Sequence, residues 1–233
     1  MNRCKTHLLR VCLCLLAAIP AYCQRADVSI NVGETHDRFG AQPSATGLVF
    51  QGDGQVAVIQ GKKDGGPGIV VGGEIIIPAD TANHAKEYAV FGGPMFRVHD
   101  FTIGFNAQVR KLILPVTTVD TETFTRKKME LLELPLYINY KFGPSKRAFV
   151  QVQGAPEFTP RWRSNGAASN ILPNPKFDHG YFVRGSVGYQ VRSWYLKGTY
   201  ETRYFKFLPT SGNPNGLYNW RTNVVTGGIG VIF

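Results

Sequence analysis

Apolar and polar residues alternate one by one over long stretches of the second half of the chain, the period-two pattern of strands with one face in each of two environments. In 101–110, Phe101, Ile103, Phe105, Ala107 and Val109 oppose Thr102, Gly104, Asn106, Gln108 and Arg110. In 132–142 the even positions, Leu132 to Phe142, are apolar or aromatic, and Glu133, Tyr137, Asn139 and Lys141 lie opposite. Segment 148–161 sets Ala148, Val150, Val152 and Phe158 against Phe149, Gln151, Gln153, Glu157 and Arg161. In 181–191, Tyr181, Val183, Val187 and Tyr189 oppose Arg184, Ser186 and Gln190; in 194–204, Trp194, Leu196, Tyr200 and Tyr204 oppose Lys197, Glu201 and Arg203. The last segment puts Val225, Ile229, Val231 and Phe233 on one face.

No charge falls on the apolar face of these segments. Lipid imposes that pattern, because a basic residue at mid-bilayer on a barrel's lipid face costs about 2–4 kcal/mol. A soluble sandwich also alternates, but its strands average about 5–6 residues, and tilted spanning strands need about 9–11. The links also alternate in length. His99-Asp100, Gly143 to Lys146 and Arg192-Ser193 are short, whereas 115–128, 164–179 and 210–219 are long and polar. The expected fold is all-β, a transmembrane antiparallel up-and-down barrel. In the first half, Val28, Ile30 and Val32 open a strand and 87–98 forms another. Segments 47–60 and 68–77, joined by a turn at Lys62 to Gly66, bring the count to ten with Glu74 inward. Ten strands are favoured; without that pair the count is eight.

The first 23 residues read as a secretory signal peptide: basic Arg3, Lys5 and Arg10, the apolar run Val11 to Ile19, and small residues around Ala21-Tyr22-Cys23. Residues 24–233 form the barrel domain. All four cysteines (Cys4, Cys12, Cys14 and Cys23) lie in the leader, so the barrel has neither disulfides nor cysteine metal sites. The leader holds three of the 26 Lys and Arg and none of the 16 Asp and Glu, leaving the remainder an excess of seven positive charges. Without a dense basic run longer than Arg126-Lys127-Lys128, that excess points to an anionic lipid surface rather than nucleic acid.

The segment Leu132-Glu133-Leu134-Pro135-Leu136-Tyr137-Ile138-Asn139-Tyr140-Lys141-Phe142 and the paired segments 181–209 resemble the small bacterial outer-membrane β-barrels, the group that includes the OmpA-type and OmpX-type barrels. Thr226, Gly228, Val231 and Phe233 are similar to the terminal signal read by barrel assembly machineries. The resemblance implies an integral outer-membrane location, contact with lipids including lipopolysaccharide, and engagement of the assembly machinery during biogenesis. The molecule is expected to be a monomer.

The positions facing the lumen hold Arg110, Glu133, Lys141, Glu157, Arg184, Lys197, Glu201 and Arg203. Side chains fill barrels of this size, and opposite charges there are expected to pair. The leading expectation is a filled lumen with a structural or interaction role through the external loops. The alternative is a narrow pore for ions or small solutes. Trp162, Trp194, Trp220, Tyr195 and Tyr218, near strand ends, are read as an interfacial girdle, and Lys111, Lys206 and Arg163 as candidates for lipid phosphates. A third reading, a rim protease or lipid-modifying enzyme, rests on His36-Asp37 and Asp178-His179. No catalytic, metal or cofactor motif supports it, and the chain is expected not to be an enzyme.

Overall fold

The computed structural model describes residues 25–40, 43–59, 65–115, 117–119, 122–124, 127–164, 174–211, 213 and 216–233. The leader and part of the Lys62 to Gly66 turn lie outside these residues. Ten strands run in sequence: β1 (Arg25–Phe39), β2 (Ala45–Ile59), β3 (Gly65–Pro78), β4 (Lys86–Val98) and β5 (Phe101–Phe105 continued by Ala107–Ile113). They continue as β6 (Lys127–Glu133 and Leu136–Phe142), β7 (Ala148–Pro156, resuming at Arg161–Ser164), β8 (Phe177–Val191), β9 (Trp194–Phe207) and β10 (Trp220–Ile232). A short hairpin, Thr117–Val119 with Glu122–Phe124, extends the β5–β6 link.

Each strand pairs antiparallel with its sequence neighbours, and β1 closes on β10 from Asp27 against Ile232 to Phe39 against Trp220. The result is a closed ten-stranded barrel without a free edge. β5 and β6 break side by side. Pro135 has no N–H to offer the ladder, and Asn106 N–H donates to its carbonyl at 3.0 Å. The register is the same on both sides of the break, so Asn106 keeps its inward parity and is buried.

The alternation holds through the molecule. Outward positions such as Ile30, Val90, Val187 and Leu196 are apolar and exposed, at 69%, 64%, 61% and 64%. Inward positions are mostly polar, including Ser29, Asn31, Gln51, Glu74 and Thr226. Two expectations fail. Arg161 lies outward and exposed, because β7 breaks after Pro156 and resumes with Arg161 opposite outward Glu130. Four of the five residues read as an aromatic girdle also lie elsewhere. Trp220, Tyr195 and Tyr218 are buried inside the barrel and Trp162 packs against that interior, leaving Trp194 exposed on the outer face at 55%. Position near a strand end does not determine a side; parity along the strand does.

Candidate functional site

The lumen is built in three layers. At mid-height three arginines interlock with five glutamates drawn from seven strands. The Arg110 guanidinium donates to Glu74 at 2.9 Å, Glu87 at 2.7 Å and Glu133 at 3.2 Å. Arg184 bridges Glu74 and Glu201. Arg203 donates to Glu133 and Glu157 and lies 3.4 Å from Glu201. Arg110, Arg203, Glu133 and Glu201 are all nearly inaccessible to solvent. The Phe182 ring lies between two of the cations, with Arg203 Cζ 4.9 Å and Arg110 Cζ 6.0 Å from its centroid. Charges removed from water this completely persist only where partners surround them.

Above this layer, toward the long links, the lumen turns apolar. Phe39, Leu112, Met129, Leu131, Phe205 and Trp220 form its buried centre. Trp220 is stacked between Phe39 and Phe205, at 5.8 and 5.5 Å between centroids. Asn213, Leu217 and Tyr218, described residues of the 208–219 link, are buried in the barrel mouth. Asn213 is fully buried; its amide donates to the Phe207 and Leu208 carbonyls at 3.1 and 3.3 Å and accepts from Tyr218 N–H at 2.7 Å. That clamp sets Leu217 and Tyr218 into the apolar layer.

Asp37 ties another link to the same layer. It accepts from the Trp220 indole at 3.1 Å and bonds His84 Nδ1 at 2.7 Å. His84, in the 79–85 link, has its pKa raised above the usual imidazole value, chiefly by the bond to Asp37, with burial opposing and Asp80 assisting. A raised folded-state pKa gives stability that is complete below about pH 6.5 and is lost as pH rises through the folded value. The stability difference between the wild-type barrel and His84→Gln, measured by urea unfolding, is therefore expected to narrow as pH rises from about 6 to 9. A constant difference would count against the charged pair.

Below the mid-layer, toward the short turns, the lumen opens into a cavity of about 210 Å³. Four inward aromatics lie flat on its wall, each over a glycine directly across the ladder: Tyr137 over Gly104, Phe149 over Gly188, Tyr195 over Gly230 and Phe91 over Gly72. A Cβ at any of these glycines would overlap the ring. The glycines keep the rings against the wall and the space open.

The eight lumen charges expected from the sequence all face inward. Six of them, Arg110, Glu133, Glu157, Arg184, Glu201 and Arg203, join the mid-layer cluster; Lys197 pairs with Asp53 at 2.9 Å and Lys141 lines the cavity. Glu74 is inward as read. Sequence reasoning did not find Glu87 or the Asp37–His84 pair; the inward parity of Glu87 was the available signal. His36 and Asp37 face opposite sides of β1, so the dipeptide is not a site, and Asp178 and His179 form an exposed contact at 3.2 Å. Thr226 is inward and donates to Gln51 at 2.9 Å, Gly228 lies against β1 opposite Asn31, and Phe233 is 76% exposed.

No family model matches the chain, and no curated protein matches it in sequence. Among solved structures, the outer membrane protease OmpT from Escherichia coli aligns with TM-score 0.50 and 10% identity over 90% of this chain and 97% of that one. Neisserial surface protein A aligns at 0.42 and 12% identity, covering 88% and 96% of the two chains. Ail, the attachment invasion locus protein of Yersinia pestis, aligns at 0.38 and 12% identity, covering 90% and 98%. The fold is that of the small outer-membrane β-barrels. At these identities the likeness is one of architecture, and activity must be argued from the site. Among the described residues no helix is long and apolar enough to cross a membrane.

Proposed function

We propose that this chain is an integral outer-membrane protein whose barrel is closed to solutes and which acts through its long links on the cell exterior. The observation that carries the reading is the double layer: buried ion pairs beneath a buried apolar layer, into which Asn213 clamps Leu217 and Tyr218. A conducting pore needs a continuous wet path, and the near-complete burial of Arg110, Arg203, Glu133, Leu112 and Trp220 argues against one. In this reading the short turns face the periplasm and Phe233 ends the strand that the assembly machinery engages. Outward Lys111, Lys206 and Arg163 meet lipopolysaccharide phosphates. The latter two also reach acids, Arg163 at 2.9 Å from Glu130 and Lys206 at 3.8 Å from Asp178. The reading carries no catalytic role: Asp37 and His84 are sealed from substrate, at 2% and 1% exposure.

Single-channel recording tests it. The leader-free protein, refolded and shown to be a barrel by heat-modifiable gel mobility, is expected to be silent in a planar bilayer. Reproducible conductance steps that change with Arg203→Ala or Glu133→Ala would make it a pore instead.

A further inference from the structure

We propose that the lower half of the lumen is a ligand cup, open to the periplasm, that holds a small hydroxylated anion of the sugar-phosphate or sugar-acid class. Its orientation rests on the closed-barrel reading above; its chemistry does not. Charge is the first argument. Most charged groups on the cup wall are already matched: Lys197 with Asp53, Arg184 with Glu74, and Asp100 with Lys146 at 2.7 Å. Asp27 accepts the Tyr195 hydroxyl. Arg25, Arg97 and Lys141 remain, and among the described residues none of the three has a carboxylate within ion-pair distance. Their remaining contacts are weak and neutral: Arg97 donates to the His99 carbonyl at 3.3 Å and Lys141 to the Gln190 amide at 3.4 Å. Arg25 and Arg97 are near enough for their charges to act on Lys141, as are the carboxylates of Asp27 and Asp100. The cup wall carries five cations, Arg25, Arg97, Lys141, Arg184 and Lys197, against four carboxylates, Asp27, Asp53, Glu74 and Asp100, and its three cations without a direct ion pair favour an anionic ligand.

Depth supplies the second argument. Asn106, inward by strand parity, lines the cup and is only 3% exposed, yet its Oδ1 has no hydrogen-bond partner. A buried acceptor left unsatisfied costs about 1–3 kcal/mol, and a small turn of the Asn106 side chain toward the cup would let a ligand hydroxyl satisfy it. Third, the rings held down by Gly104, Gly188, Gly230 and Gly72 present flat aromatic surface to the cavity. Flat rings, amide side chains such as Gln153 and Asn139, and a rim of cations suit a single sugar ring with one acidic group. At about 210 Å³ the cavity takes a monosaccharide and not an oligosaccharide.

Equilibrium titration of the folded barrel with glucose 6-phosphate, glucuronate, glucose and inorganic phosphate tests the proposal. One saturable site per barrel is expected for at least one sugar anion, and which of them binds separates phosphate from carboxylate. Glucose and phosphate alone are expected to bind at least tenfold more weakly. The double variant Arg97→Gln/Lys141→Gln is expected to lose at least tenfold in affinity while keeping heat-modifiable mobility; if it does not fold, Lys141→Gln alone serves. Gly104→Val, which pushes Tyr137 off the wall into the cup, is expected to lose binding too. No saturable binding of either sugar anion, phosphate binding as tightly as glucose 6-phosphate, or affinity indifferent to the charge variants would overturn the ligand assignment. Residues 25–233 contain no cysteine, so Gln153→Cys places a single thiol in the cup. An impermeant maleimide is expected to label it in permeabilised cells, with protection by the bound sugar anion, and not in intact ones. Labelling of intact cells would overturn the orientation and the closed-barrel reading with it, and would leave the titration to decide the ligand.

Discussion

Arg203→Gln is expected to destabilise the barrel by about 3–5 kcal/mol, the loss that follows when one partner of a buried ion cluster is removed, whereas Glu157→Gln is expected to cost less than about 1 kcal/mol. The asymmetry comes from the composition of the mid-layer. Three guanidiniums, Arg110, Arg184 and Arg203, face five carboxyls, Glu74, Glu87, Glu133, Glu157 and Glu201. Removing Arg203 takes a cation from the minority side, strands Glu157 and leaves Glu133 to Arg110 alone, both inside a layer buried from water. Removing the charge of Glu157 takes one from the majority side. Glu157 also sits directly across an antiparallel bridge from Glu133, an opposition of like charges that the substitution relieves. The glutamine keeps an oxygen for Arg203, and its amide nitrogen replaces Oε2, which has no partner to lose. Urea unfolding followed by gel mobility measures both variants. Equal losses would mean that the layer is held by packing and not by its charge balance.

How much of this was legible in the sequence depends on the height within the barrel. Around the mid-layer the two environments differ most, lipid outside and charge inside, so parity alone placed Arg110, Glu133, Arg184, Glu201 and Arg203 correctly. Glu74 was legible for the same reason, flanked by Ile75 and Ile77 on the outer face. Strand β4 gave less, because Phe91 and Met95 point inward and blur the contrast that would have exposed Glu87. At the long-link end the contrast inverts: Phe205, Phe207 and Trp220 face inward while Lys206 and Arg221 beside them face outward, so the apolar residues read like ones facing lipid. Contacts across the sequence were beyond reach altogether: Asp37 and His84 are 47 positions apart. The cup depends on register. Gly104 lies opposite Tyr137 only because β5 and β6 pair as they do, and no local pattern encodes that pairing.

The interior position of Trp220 has a consequence that separates stability from closure. Trp220→Ala is expected to cost about 3–5 kcal/mol, the range for emptying a buried aromatic site, because it removes the ring between Phe39 and Phe205 and the indole donor to Asp37. Trp194→Ala, at the opposite end of the barrel and on the outer face, is expected to cost less than half as much, since its ring is 55% exposed before any lipid is counted. Similar losses for the two would return Trp220 to the girdle that its place near a strand end suggests. The Trp220→Ala barrel is nonetheless expected to stay silent in a planar bilayer. The void lies in the apolar layer, and the layer of Arg110, Arg203 and their glutamates beneath it still crosses the lumen. Conductance appearing on this substitution alone would make the aromatic layer the only seal. Continued silence in a measurably weakened barrel would assign closure to the ion-pair layer and much of the barrel's stability to the aromatic one.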